Sequence, residues 1–157
     1  MATRSMQQWF DAYGVSHKNP TNKAIHWICV PIIYFCVVGF LYSLPMPDAP
    51  PFSGPHMLAK LAIGLVGVFY LRISFPIMIG MLLWSVLCYV LYSYIDLVAP
   101  WPLWAICSVL FVLAWIGQFY GHKVEGAKPS FLHDLQFLMI GPAWLMGFIY
   151  RRFGIPY

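Results

Sequence analysis

Charge is what this sequence has least of. Only 9% of its 157 residues are Asp, Glu, Lys or Arg, whereas a water-soluble domain carries about 25%. Hydrophobic residues make up 61%. So few charges cannot cover a water-facing surface, and lipid has to replace water over much of the outside. A basic tract is also lacking. Nine Lys and Arg give a net charge of +4, and no basic run exceeds Arg151-Arg152. That excludes a nucleic-acid footprint and leaves basic loops that meet anionic headgroups. There is no CxxC pair, no HExxH, no GxSxG and no phosphate-binding loop. Cys29, Cys36, Cys88 and Cys107 stand singly in apolar stretches and read as small buried hydrophobes. The first 24 residues include Arg4, Asp11, Lys18, Asn19 and Lys23. They lack the apolar core and cleavage site of a secretory signal, so the first apolar helix is expected to insert uncleaved.

What is present is a series of apolar runs in one domain, residues 1–157. The first, about Ile25–Leu44, has no charge and is long enough to span a bilayer. Pro31 is expected to bend it, which neighbouring helices tolerate by satisfying the freed carbonyl. Residues 45–56 hold five prolines and form a loop. The second run, about Met57–Leu71, is short for a span, with Lys60 snorkelling from its first turn. A tight connection through Arg72 leads to Pro76, which suits a first helical turn. The third run is about Pro76–Ile95 and the fourth about Leu103–Tyr120. A polar stretch at 123–130 precedes a fifth run, Phe131–Tyr150. That one carries His133, Asp134 and Gln136 in its first two turns, and Gly141-Pro142 is expected to break it. The aromatics are expected mostly at the lipid face and the interfaces, with Trp101, Trp104 and Tyr120 as belt residues.

Basic residues orient the chain. With the N-terminus in the cytoplasm and four spans, Arg4, Lys18, Lys23, Arg72, Lys123 and Lys128 lie inside, and Asp48, Lys60 and Asp96 outside. If the fifth run does not cross, Arg151 and Arg152 join them, placing eight of the nine basic residues inside. The expected fold is therefore an all-α polytopic membrane bundle. It has four transmembrane helices and a re-entrant or interfacial fifth segment; five full spans are the rival.

This topology puts His17, His26, His122 and His133 on one face and His56 on the other. Ionisable groups near membrane depth are usually functional or paired. Several imidazoles brought together from distant parts of a chain are the makings of a metal site. Interfacial histidines bonded to carbonyls or headgroups are the plainer alternative. Tyr13, Asn22 and Gln118 each precede a histidine by four residues, a helical spacing at which they can orient the ring. Asn22 and Gln118 are also candidates for touching a substrate. Lys18 and Lys123 are candidates for holding a substrate carboxylate, and Lys123 and Lys128 otherwise face headgroups. Glu125 reads as a salt-bridge partner, a group supporting the ligands from behind, or an alternative ligand. Asp134 reads as a helix N-terminal charge or an alternative ligand. A small transporter would need ionisable residues at mid-membrane in broken helices, which these spans lack. A non-catalytic lipid-binding or scaffold protein explains the apolar helices but not the gathered histidines.

Two separated motifs carry a resemblance. Residues 13–31 read YGVSHKNPTNKAIHWICVP, and residues 115–142 read WIGQFYGHKVEGAKPSFLHDLQFLMIGP. Together they resemble the Mpo1-like family, formerly DUF962, in order and in hydropathy over most of the chain. The resemblance implies an Fe(II)-dependent membrane dioxygenase. Its reaction would convert a 2-hydroxy long-chain fatty acid, with O₂, to the acid one carbon shorter, in fatty-acid α-oxidation linked to sphingolipid breakdown. It implies His17, His26 and His122 as catalytic metal ligands, with His133 a possible fourth. It also implies an integral membrane location, in the endoplasmic reticulum of a eukaryote or the inner membrane of a bacterium, with the active face cytoplasmic. Family members often carry a second histidine where this chain has Lys18, an Asp where it has His133, and Ala where it has Ser130.

Overall fold

A computed structural model describes residues 5–45, 54–126 and 131–157, with the backbone alone at 131–137. The described residues form six helices and no strand: α1 (Met6–Gly14), α2 (Pro20–Ser43), α3 (Met57–Leu71), α4 (Phe75–Val98), α5 (Leu103–Glu125) and α6 (Phe131–Arg152). Helices α2, α4 and α5 are long and apolar enough to cross a membrane, and α3 is a shorter apolar helix. Local chemistry sets the ends. Asn19 caps α2 by accepting from the backbone N–H of Thr21 (2.8 Å), and Pro20 follows at the first position, where its missing N–H costs nothing. Ser74 caps α4. Gly126, at φ 73°, ends α5 in the left-handed conformation that suits glycine.

Three elements depart from the sequence reading. The polar N-terminal segment contains α1, held by a reciprocal Ser5–Gln8 capping box. Its Met6, Phe10 and Tyr13 are buried, one stripe of helical spacing. Helix α5 runs past Tyr120 to Glu125, so His122 projects from a helix and not from a loop. Pro142 does not break α6, which continues through it. Proline removes one ladder bond and opens its surroundings. Here the Tyr70 hydroxyl of α3 donates to the neighbouring Met139 carbonyl. Pro31 likewise lies inside α2 without ending it.

The outside is apolar and the inside is mixed, the reverse of a soluble bundle. On α4, Leu83, Leu87, Val90 and Leu97 form an exposed stripe, whereas Ser85, Cys88 and Tyr92 are buried. Trp101 and Trp104 at one end of α5 and Tyr120 at the other are exposed, as belt residues should be. The expectation that aromatics sit mostly outside fails for five of the ten tyrosines. Tyr13, Tyr34, Tyr42, Tyr70 and Tyr92 are all buried. Away from water each hydroxyl needs a partner, and a neighbouring helix supplies one. Tyr34 bonds Ser85 (2.6 Å), Tyr92 donates to the Phe35 carbonyl (2.6 Å), and Tyr150 donates to the Pro76 carbonyl (2.6 Å).

The central pairing is α2 against α5. Gly117 and Gly121 of α5 make a small-xxx-small face. A Cβ on Gly117 would come within 2.7 Å of Cys29 Sγ, and one on Gly121 within 2.4 Å of Asn22 Oδ1. No side chain fits between these helices at that level. Helix α6 packs against α1, α2 and α4. It meets Phe10 at Gly147, Trp27 at Phe148, Tyr70 at Met139 and Pro76 at Tyr150. Those partners lie in α1 or at the adjoining ends of α2, α3 and α4.

Candidate metal centre

Three imidazoles meet where α1, α2 and α5 converge. His17 follows the end of α1, His26 sits two turns into α2, and His122 lies in the last turn of α5. Their exposures are 3%, 1% and 8%, so all three rings are withdrawn from water. Ring centroids are 4.2 Å apart for His17 and His26, 5.2 Å for His26 and His122, and 5.6 Å for His17 and His122. One ring nitrogen from each lies within 4.8 Å of the others, close enough for one ion to be shared.

The backbone fixes two of the rings. His17 Nδ1 is 2.7 Å from the Tyr13 carbonyl oxygen, and His26 Nδ1 is 2.9 Å from that of Asn22. A carbonyl can only accept, so both protons sit on Nδ1 and both Nε2 atoms carry a free lone pair. The four-residue spacing was the right signal, but the orienting group is the main-chain carbonyl and not the Asn22 side chain. Tyr13 adds a second constraint by stacking on His17, with centroids 4.0 Å apart and planes at 14°. Trp144 of α6 closes the same wall, 5.5 Å from the His17 ring.

Two nitrogens here have no hydrogen-bond partner: His17 Nε2 and His122 Nδ1. Leaving buried polar atoms unpaired is costly, of order 1–3 kcal/mol each, unless something else satisfies them. Burial pushes the His17 imidazole down to about 4, with the backbone bond to Tyr13 opposing, so the ring is neutral at pH 7. Buried, convergent imidazoles, with unpaired nitrogens at His17 and His122, are what a transition-metal ion requires. The donor set therefore fits a metal.

The rings border a cavity of about 50 Å³, also lined by Tyr13, Trp115, Gln118, Leu138, Gly141 and Pro142. About 10–15 Å³ of such space holds one water, so an ion and a few small ligands fill it. Trp115, Gln118 and His122 follow at helical spacing on one face of α5. Trp115 Nε1 is buried without a hydrogen-bond partner, and the Gln118 amide joins it at the wall.

Other candidates are placed elsewhere. Glu125 is taken up by amides. Its carboxylate accepts from the backbone N–H of Lys18 (2.8 Å) and Asn19 (2.9 Å) and from the Asn22 side-chain amide (3.0 Å). It thereby pins the end of α5 to the N-terminus of α2, where negative charge is favoured, and so fixes His122 relative to His17 and His26. Asn22 is completely buried and donates to the Ser16 carbonyl as well, so its amide nitrogen ties the turn before α2 to Glu125. Lys18 and Lys123 are exposed and do not line the cavity. They sit where water and headgroups compete for them. The His133 and Asp134 side chains, and all of Lys128, lie outside the described residues. His56 is stacked on Tyr42 at 3.6 Å and bonds its carbonyl. Sixteen residues of α2 separate Tyr42 from His26, about 24 Å at 1.5 Å per residue, so His56 takes no part. Sequence reasoning missed Trp144 and the Gly117–Gly121 face. For the latter the small-xxx-small spacing was the available signal.

Comparison with known proteins agrees with this geometry. The profile of the family described as 2-hydroxy-palmitic acid dioxygenase Mpo1-like matches residues 3–153. The 2-hydroxy-palmitic acid dioxygenase MPO1 of Saccharomyces cerevisiae is 30% identical over 138 residues, covering 85% of this chain and 73% of the yeast protein. No solved structure matches. A match over nearly the whole length settles the affiliation: the chain belongs to the Mpo1-like family.

Proposed function

We propose that this protein is an Fe(II)-dependent membrane dioxygenase that converts 2-hydroxy long-chain fatty acids to acids one carbon shorter. The carrying observation is the trio of buried imidazoles at one small cavity, with His17 Nε2 and His122 Nδ1 unpaired. The yeast relative's name supplies the reaction class. His17 and His26 would hold the ion through Nε2, and His122 through Nδ1. A redox-active ion held there supplies activation of O₂, which zinc, having no redox chemistry, does not. Atoms balance without an external reductant: 2-hydroxy acid and O₂ give the shortened acid, CO₂ and water, as the bond between C1 and C2 breaks.

The chain's own groups do the rest. The Tyr13 and Asn22 carbonyls keep both Nδ1 atoms protonated, holding the rings in the ligand tautomer. Trp115 Nε1–H and the Gln118 amide can donate to the carboxylate or hydroxyl of the substrate. Tyr13, Trp144 and Pro142 exclude bulk water. Incubating the iron-loaded protein with 2-hydroxypalmitic acid and O₂ should yield the shortened acid and equimolar CO₂, and nothing from palmitic acid. Binding of the hydroxy acid without turnover would leave a lipid-binding protein instead.

The same reading includes a multi-pass topology: α2 to α5 cross, and α6 is interfacial or re-entrant. Support comes from the contacts of α6, which fall beside α1 and the adjoining helix ends. The histidine cavity would then face the cytoplasm, in the endoplasmic reticulum of a eukaryote or the inner membrane of a bacterium. Single cysteines at positions 56 and 151 should react with impermeant maleimide from opposite sides. Labelling from one side rules the arrangement out.

A further inference from the structure

The cavity beside the imidazoles takes an ion and a few small ligands, and no hydrocarbon tail. A second, larger cavity adjoins it. About 340 Å³ of space lies between α2, α3 and α6, within the size range of small-molecule sites, roughly 300–1,000 Å³. Its walls are apolar except for Tyr34, whose hydroxyl is already bonded to Ser85. Leu138 lines both spaces. Successive turns of α2 divide between them: Val30 and Ile33 face the first, and Tyr34, Val37 and Leu41 face the second. On α3 the walls run from Phe69 back to Ala62. Seven residues along each helix is about 10 Å. The groove thus leaves the histidine end and runs along the helices, toward the end that carries His56. It has the shape, polarity and direction of an extended acyl tail whose head stays at the imidazoles.

We propose that this groove is the tail-binding site, and that Ala62 and Leu41, at the end away from the imidazoles, set the longest chain accommodated. The proposal rests on the fatty-acid reading above and adds to it a location and a length limit. Leu138, shared by both spaces, is the passage where the tail turns from the head cavity into the groove.

The test uses full-length protein in bilayer nanodiscs, with a 2-hydroxy fatty acid carrying a diazirine at its terminal carbon. Photolysis of the metal-free protein should label α3 at Ala62 and Val66, which line the groove and are not among the exposed residues. Labelling of the lipid-facing residues Leu83 of α4 or Val109 of α5 would show the tail in bulk lipid and overturn the proposal. Ala62→Phe should abolish labelling by the longest acids and shift the preferred chain length downward by several carbons, with metal content unchanged. Gly64→Phe, on the same helix where an added Cβ meets nothing within 4 Å, should leave the length profile alone. An unaltered profile in Ala62→Phe sinks the groove assignment. No turnover with any 2-hydroxy acid, alongside α3 labelling, instead sinks the dioxygenase reading and leaves the groove standing.

Discussion

His17→Ala should release the metal and leave the bundle folded. His17 lies outside the spans and is buried at 3% exposure. Its Nε2 has no hydrogen-bond partner, so losing that atom deprives the fold of no bond. The Tyr13 carbonyl it leaves behind still accepts from Ser16 Oγ at 3.3 Å. What disappears is one of three ligands. Removing an outer partner of a metal site typically costs about 10–100-fold in affinity, and removing a ligand should exceed that. Iron per protein should fall to background in His17→Ala, and equally in His26→Ala and His122→Ala, with helical content retained in detergent. Iron content that survives all three substitutions refutes the centre. The wild-type protein adds a pH signature. An ordinary histidine has a pKa of 6.5, and burial holds His17 at about 4. The unfolded chain therefore binds a proton that the folded ring refuses. Stability from this group is complete above about 6.5 and is lost as pH falls toward 4. The folded protein should still bind metal at pH 6.

Gly121→Ala should cost both stability and metal, although it touches no ligand. The added Cβ would lie 2.4 Å from Asn22 Oδ1. Asn22 cannot swing aside freely, because it is completely buried and its amide bonds Ser16 and Glu125. Its own carbonyl also holds His26 in place. The helices must therefore separate or the Asn22 turn must shift, and either moves His26 away from His122. Overpacking of this kind costs about 1–3 kcal/mol. The expected result is a lower unfolding temperature together with reduced iron content. Gly64→Ala has open space around its new Cβ and serves as the control. If Gly121→Ala behaves like the control, the close approach of α2 and α5 does not set the site.

The contrast between these two substitutions marks how far the sequence could be read. His17, His26 and His122 were legible because spans of known length fix which loops share a face. Four alternating apolar runs suffice for that, whatever their packing. Helix α1 was less legible because its burying stripe is only Met6, Phe10 and Tyr13, hidden in a polar stretch. Pro142 misled because a proline removes one ladder bond without ending a helix whose other bonds hold, and α6 continues through it. Where Glu125 and the two lysines rest was not legible, for one reason. Charge type suggests a ligand or a clamp for substrate, but a carboxylate goes to the nearest unpaired amides, and a lysine goes to water where it can.

By itself, then, the sequence pointed to an apolar helical chain of membrane type and put four histidines, His17, His26, His122 and His133, on one face, since composition and order along the chain suffice for both. Only the tertiary structure decided which atoms of those rings stay unpaired, that Glu125 clamps the end of α5 to the start of α2, and that an apolar groove lies near the imidazoles. Those outcomes depend on how closely α2 and α5 approach at Gly117 and Gly121 and on where α6 rests. Distances of that kind are set by packing between segments far apart in the chain, which no local pattern encodes.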